Sequence, residues 1–291
     1  MSSIINCFFP SCCRSFCSKE DEINEQNATQ FNMSDALARK KISEVFIAFS
    51  HNTYINGELQ ILTFSSVEEV ARVILEGVRG IELDILDSQD DSTPMVSHGA
   101  EWNNLNFRVS SPVKFEDFIK SVSKYGWKYS DLPLFLCLEL NAKQEETKNK
   151  IAAILEQYLK DRFIISSTQL GQLTLGELRN KVVILSGGGY NSTLRRLIDY
   201  VHDQNFRSLG FDSLETEDDL ISFNQRSFTR VYPNNIVLGK NSDPRSAWAK
   251  GCSAVAMNYN YADPNLDIYR KFFKDFPIVE KTALQSKLKK I

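Results

Sequence analysis

The sequence predicts an α/β fold: a (β/α)₈ barrel of the TIM type, somewhat irregular in its second half and preceded by a flexible N-terminal tail. Three observations point there. Short apolar runs alternate with longer helix-like stretches, the pattern of successive parallel β/α units. The chain has 291 residues and 42% hydrophobic content, and the number of units over a span of about 250 residues favours a closed barrel over an open sheet. The polar residues that interrupt the runs stand at their C-terminal ends, where barrels place their chemistry.

Residues 1–35 are expected to form a Cys-rich tail and a polar linker. MSSIINCFFPSCCRSFC holds Cys7, Cys12, Cys13 and Cys17 among Ile and Phe. It has no basic start, its apolar run is too short for a secretory signal, and Ser follows Met1 where myristoylation needs Gly. Reversible S-acylation suits it best. Each chain contributes about 0.8 kcal/mol per buried methylene, and two chains anchor a protein stably. No His accompanies the cysteines, and their spacing matches no common zinc pattern. SKEDEINEQNATQ, low in apolar residues, reads as the linker.

Residues 36–291 are expected to form the barrel, in this order. VFIAFS is the first strand, ending at His51 and Asn52. SVEEVARVILEG is a helix with Ser66 as N-cap, Glu69 three residues on, an apolar face and Gly77 at its end. GIELDIL is the second strand; it carries Glu82 and Asp84 two residues apart, so both carboxylates share a face. PMVSH is the third, ending at His98, and the helix KFEDFIKSVSKYG follows. LFLCLEL, ending near Glu139, is the fourth, followed by the helix QEETKNKIAAILEQYLKD. KVVILS is the fifth, and STLRRLIDYVHDQ reads as a helix in which His202 is structural. FTRVYP and SAVAMNY complete the runs. Cys137 and Cys252, alone in apolar runs, read as small core residues.

Composition excludes several classes. A net charge of −3 gives no whole-protein basic field for nucleic acid. No stretch of about twenty apolar residues reads as a spanning helix. The cysteine distribution is not that of a secreted disulfide framework.

The strand-end residues make one chemistry. Three carboxylates converging with an amide oxygen repel one another unless a cation sits among them, and oxygen-only donors suit calcium or magnesium rather than zinc. A metal flanked by His51 and His98 is what phosphodiester cleavage needs. The metal stabilises charge on the phosphate and acidifies an attacking hydroxyl. One imidazole donates to the phosphate and the other protonates the leaving oxygen.

SHNTY, GIELDI, VSHG and CLELN resemble the X half of the eukaryotic-type phosphoinositide-specific phospholipases C. FTRVYP and the run from Trp248 to Tyr259 resemble its Y half. The resemblance covers roughly residues 40–275. It sets the X half at about 40–190, a short linker at about 205–219 and the Y half at about 220–275. It implies calcium held by Asn52, Glu82, Asp84 and Glu139. It implies attack by the inositol 2-hydroxyl to give a cyclic phosphodiester that water opens. His51 would then stabilise the transition state, His98 would act as acid and then base, and Glu82 or Glu139 would take the hydroxyl proton. Arg230 and Tyr232 match positions that contact the inositol ring and its phosphate. Trp102 falls where the family has an apolar ridge that dips into the membrane. The implied protein is a monomer on the cytoplasmic side of a membrane, acting on phosphoinositide lipid and not on nucleic acid.

Two departures matter. The family places two lysines after the fifth strand to grip ring phosphates, and here Ser186 and Gly188 are expected in their place. Each missing lysine removes a charge-assisted bond worth about 1.5–3 kcal/mol. Phosphatidylinositol or its monophosphate is therefore expected to serve as well as the bisphosphate. The usual lipid-binding and EF-hand modules are also not visible, which leaves the cysteine tail to bring the barrel to lipid. The alternatives are a glycerophosphodiester phosphodiesterase and a catalytically inactive, membrane-tethered phosphoinositide-binding protein.

Overall fold

A computed structural model describes the chain except residues 1–24, 26–27, 61–62, 89–90, 103–104, 109, 165, 188–191, 203 and 235–237. The four tail cysteines and Gly188 therefore lie outside the described residues.

Eight parallel strands follow in chain order: β1 (Val45–Ser50), β2 (Gly80–Asp87), β3 (Leu134–Leu140), β4 (Val182–Ser186), β5 (Tyr200–Val201), β6 (Arg207–Gly210), β7 (Thr229–Tyr232) and β8 (Ala254–Met257). Each pairs with the next from β1 to β5 and from β6 to β8, and β8 returns to β1. That is the cyclic order of a TIM-type barrel. Among the described residues, only the bridge His202–Phe206 joins the edges of β5 and β6, so the irregularity expected of the second half falls there.

Alternation along the strands sorts the core. Ile47 and Phe49 on β1, Phe135 on β3, Val183 and Leu185 on β4 and Ala254 and Ala256 on β8 pack together inside the barrel, with Phe228 just before β7. Fully burying side chains of this size is worth about 1.5–3 kcal/mol each. Gly80 is required by this interior, because a Cβ there would lie 2.1 Å from the Phe49 ring. The opposite faces of β2, β3 and β4 pack on α1 (Val67–Leu75), α2 (Phe115–Tyr125) and α3 (Glu145–Leu159). Those of β1, β7 and β8 pack on α4 (Pro244–Ala249) and α5 (Pro264–Phe273), where Trp248 stacks on Phe272 at 4.0 Å. The cap expected for α1 is present: the Ser66 hydroxyl accepts from the Glu69 N–H at 3.2 Å.

Three expectations are corrected. PMVSH is not a barrel strand. Pro94–Val96 pairs antiparallel with the end of β2, because a parallel return needs a crossover of a dozen or more residues and only 88–93 intervene. STLRRLIDYVHDQ is not one helix. It forms a 3₁₀ turn, Thr193–Leu197, and then β5, whose Tyr200 and Val201 pair with Leu185 and Ser186. The segment read as a linker supplies β6 and the 3₁₀ turn Phe211–Thr216, which build the barrel wall.

Candidate active site

The alternation that fills the barrel continues past its strand ends. Ile47 and Phe49 lead to His51, Phe135 and Cys137 to Glu139, Leu185 to Gly187, and Ala254 and Ala256 to Asn258. At this C-terminal mouth a cavity of about 310 Å³ opens, lined among others by His51, Glu82, Glu139, His202, Arg230 and Tyr232. Cys137 also borders it, with its thiol pushed up to about 12 by burial, so the thiol is inert there.

The acidic cluster forms as expected. Oxygens of Glu82, Asp84 and Glu139 lie within 4.8 Å of one another. Register explains it, since Glu139 on β3 faces Asp84 on β2. The three carboxylates differ. Burial alone would raise the Glu82 carboxyl. Arg230, His51 and the Asn52 N–H (3.0 Å) outweigh that and hold it below the usual carboxylate range. Glu139 is pushed up to about 8, first by the charge of Asp84, then by burial and Glu82. Its side chain stays within reach of solvent, so Asp84 is the cause that counts. Asp84 Oδ1 is buried without a hydrogen-bond partner. An orphaned buried oxygen and a carboxyl forced toward neutrality mark uncompensated negative charge, and all the donors are oxygen. The residues fit a hard divalent cation.

His51 is held by a network that sequence reasoning missed. Its Nδ1 lies 2.8 Å from Asn258 Oδ1, which also accepts from Gln60 Nε2 at 2.9 Å. Gln60 Oε1 in turn accepts from Asn52 Nδ2 at 3.3 Å. The amide carbonyl of Asn258 fixes the proton on Nδ1 and turns Nε2 toward the cavity, 3.7 Å from Glu82 Oε2. Burial holds the imidazole below its usual range, against the opposing charge of Glu82. Asn52 sits at φ +44°, a left-handed conformation that Asn tolerates. The signal for Asn258 was available: it follows AVAM at a strand end, in phase with two inward alanines. Gln60 lies in a loop and offers no such signal.

His98 reaches the cluster from the antiparallel excursion. Its Nδ1 is 3.4 Å from Asp84 Oδ2, and its backbone N–H donates to Ser110 Oγ at 2.8 Å. Arg230 is buried, paired with Glu82, and donates to Ser208 Oγ at 3.0 Å. Tyr232 lies parallel to the His51 ring with centroids 6.0 Å apart. Ser186 is the next of the residues expected to bind substrate. It borders the cavity, but its phase puts it with Val182 and Ile184 on the outer face, and its hydroxyl donates to the Leu138 carbonyl at 2.9 Å. The inward positions after β4 are Leu185 and Gly187. Trp102 ends the strand Gly99–Trp102; its side chain lies outside the described residues. His202, read as a helical residue, lines the cavity.

Carboxylates and imidazoles gather at the C-terminal mouth of eight parallel strands, a barrel whose acidic group has the donor set for a metal ion. The particular family follows from comparison with known proteins. Residues 38–187 match the X domain and residues 194–277 the Y domain of phosphatidylinositol-specific phospholipase C. The chain belongs to that family. It is 33% identical over 127 residues to mouse 1-phosphatidylinositol 4,5-bisphosphate phosphodiesterase eta-1, covering 44% of this chain and 7% of that protein. It is 24% identical to the zebrafish (Danio rerio) delta-3-A enzyme of the same name over 79% of this chain and 36% of the relative. The chain thus spans only a small part of these relatives. PLC21 of L. pealei has the same fold at a TM-score of 0.75 and 21% identity, over 87% of this chain and 38% of that one. A calcium-dependent phosphoinositol-specific phospholipase C from Pseudomonas matches at a TM-score of 0.53 and 11% identity, over 85% of this chain and 97% of that one.

Proposed function

We propose that the protein is a calcium-dependent phosphodiesterase that cleaves phosphoinositide lipids to diacylglycerol and inositol phosphates through a cyclic phosphodiester. The observation that carries this reading is the convergence of Glu82, Asp84 and Glu139 with His51 and His98 at one barrel mouth. Calcium held by Asn52 and the three carboxylates would offset their charge, stabilise a phosphate and acidify the inositol hydroxyl beside it.

The side chains supply the rest. His51, with Nδ1–H directed at Asn258, presents Nε2 to the phosphate; an entering anionic diester favours its charged, donating form. His98 gives a proton to the diacylglycerol oxygen and afterwards takes one from water. Between the two candidate bases Glu139 is the better acceptor for the hydroxyl proton. Glu82 is committed to Arg230 and to the Asn52 N–H, whereas Glu139 stays within reach of solvent at the cavity mouth. Arg230 and Tyr232 border the space for the ring.

No lysine is among the described residues lining the cavity, and the inward positions after β4 are Leu185 and Gly187. That supports turnover of phosphatidylinositol or its monophosphate at a rate matching the bisphosphate. Exposed Leu59 and Leu238, bridged to each other on loops after β1 and β7, and exposed Phe64 support contact with a membrane surface. No helix among the described residues is long and apolar enough to cross a membrane. Peripheral attachment on the cytoplasmic side, through acylation of the tail cysteines, and action as a monomer complete the proposal. Thioester labelling of wild type and of a variant lacking all four cysteines tests the anchor.

The decisive experiment presents the three lipids in mixed vesicles, with calcium or with excess chelator, and measures diacylglycerol and soluble inositol phosphate. Calcium-dependent release is expected. Release that survives chelation would remove the metal from the reading, and no release from any lipid would leave only lipid binding.

A further inference from the structure

The wall opposite β1 has its own imidazole. β5 stands across the barrel from β1, and the residue that follows it, His202, lines the cavity. It bridges to Phe206, whose buried ring lies 5.8 Å from the imidazole at 47°. Gly187 leaves it room: a Cβ added there would come within 3.7 Å of His202 Cβ and 3.9 Å of its Nδ1. Among the described lining residues, the nitrogen groups that can carry positive charge are His51, Arg230 and His202. His51 belongs to the scissile phosphate by the reading above. Arg230 is bonded to Glu82 and Ser208. His202, after β5, stands across the barrel from the end of β1 that carries His51. The cavity of about 310 Å³ is at the small end of ligand sites, and His51 and His202 both line it.

We propose that His202 is a specificity-determining residue, its imidazole recognising a single phosphate on the side of the inositol ring remote from the scissile diester. The inference rests on the phosphodiesterase reading for the orientation of the head group. An imidazole offers one N–H donor when neutral and two when charged. It therefore favours a monophosphorylated ring without the fixed double charge that two lysines would supply.

Two measurements on wild type, His202→Ala and His202→Lys test it. The first is calorimetric binding of inositol 1-phosphate and inositol 1,4-bisphosphate in the presence of calcium. The second is vesicle turnover of phosphatidylinositol and its 4-phosphate. In His202→Ala the preference for the added phosphate should fall about tenfold in both measurements, and in His202→Lys it should be restored or exceeded. Equal weakening toward both head groups would show a wall residue with a packing role and would overturn the inference. So would an unchanged ratio. Wild type that turns over no lipid, yet loses its binding preference in His202→Ala, would sink the phosphodiesterase reading and keep the His202 contact. Wild type that turns over lipid with a ratio unmoved by either substitution would do the reverse. Wild type that binds neither head group and cleaves nothing would overturn both.

Discussion

From β1 to β4 the connections are long: α1 has 9 residues, α2 has 11, α3 has 15, and an antiparallel excursion carries His98 back to β2. From β5 to β8 the connections shrink. Residues 202–206 join β5 to β6 directly, and α4 has 6 residues. The residues proposed to react, His51, Glu82, Asp84, His98 and Glu139, all lie in the first half, and His202, Ser208, Arg230 and Tyr232 line the second. Reacting atoms require placement to within a fraction of an ångström, and deep helical packing provides it. A head-group wall tolerates shorter, variable connections. Substitutions in the first half should therefore remove turnover of every lipid alike, and substitutions in the second should reorder the lipids.

The largest effect tests the first half. His51→Ala should lower turnover by about 10²–10⁴-fold, equally for phosphatidylinositol, its monophosphate and its bisphosphate, with calcium binding retained. A loss confined to one lipid would break the division. Asn258 is the instructive intermediate, because it comes from β8 yet acts on His51. Asn258→Ala strips the acceptor from both His51 Nδ1 and Gln60 Nε2, and an unpaired buried donor costs about 1–3 kcal/mol. Asn258→Asp places a carboxylate on the imidazole and should raise its pKa. The limb of the rate profile that reports His51 then moves to higher pH. A profile that stays in place would show that Asn258 only fills space.

How much of this was legible in the sequence follows the same division. β1, β2, β3, β4, β7 and β8 stand out as apolar runs because both their faces are buried. β5 and β6 have two and four residues, and β6 is only partly buried over three of its four. They exist because strands on either side offer unpaired edges, and no local pattern encodes that. The reacting residues were legible because a polar group in phase with an inward apolar series has no other reason to be there. His202 was not, because its strand is too short to set a phase. Gln60 was not, because its role depends on where a loop returns.

Gly187→Lys is the next test, and it works on the second half. Gly187 is exposed, and a side chain there begins at ordinary contact distance from His202. A lysine adds a charge-assisted bond at the lower end of about 1.5–3 kcal/mol, because water competes at an exposed position. Turnover of the bisphosphate relative to phosphatidylinositol should rise about tenfold. A uniform change across the lipids would place the ring elsewhere in the mouth.

The smallest effect is on stability, and it separates two raised carboxyls. Glu139, in the first half, is pushed up to about 8 chiefly by Asp84; Asp199, just before β5, is pushed up to about 7 by burial. A carboxyl raised on folding favours the protonated native state. Without calcium, both should make the protein less stable as pH rises from the ordinary carboxylate range to about 7 or 8, and neither should matter above that. Calcium changes only one of them. Below about 8 it must displace a proton from Glu139, so its affinity should fall as pH drops, and its stabilisation, which grows as RT ln(1 + [Ca2+]/Kd), should fall too. The rise in melting temperature on adding calcium should therefore be larger at pH 9 than at pH 6. Asp84→Asn should weaken calcium binding and flatten this pH dependence together, because the same carboxylate causes both. Asp199→Asn should leave the calcium effect unchanged while flattening part of the calcium-free stability profile. If Asp199→Asn altered the calcium response instead, the raised carboxyl that matters would lie beside β5, and the separation of chemistry from wall would not hold.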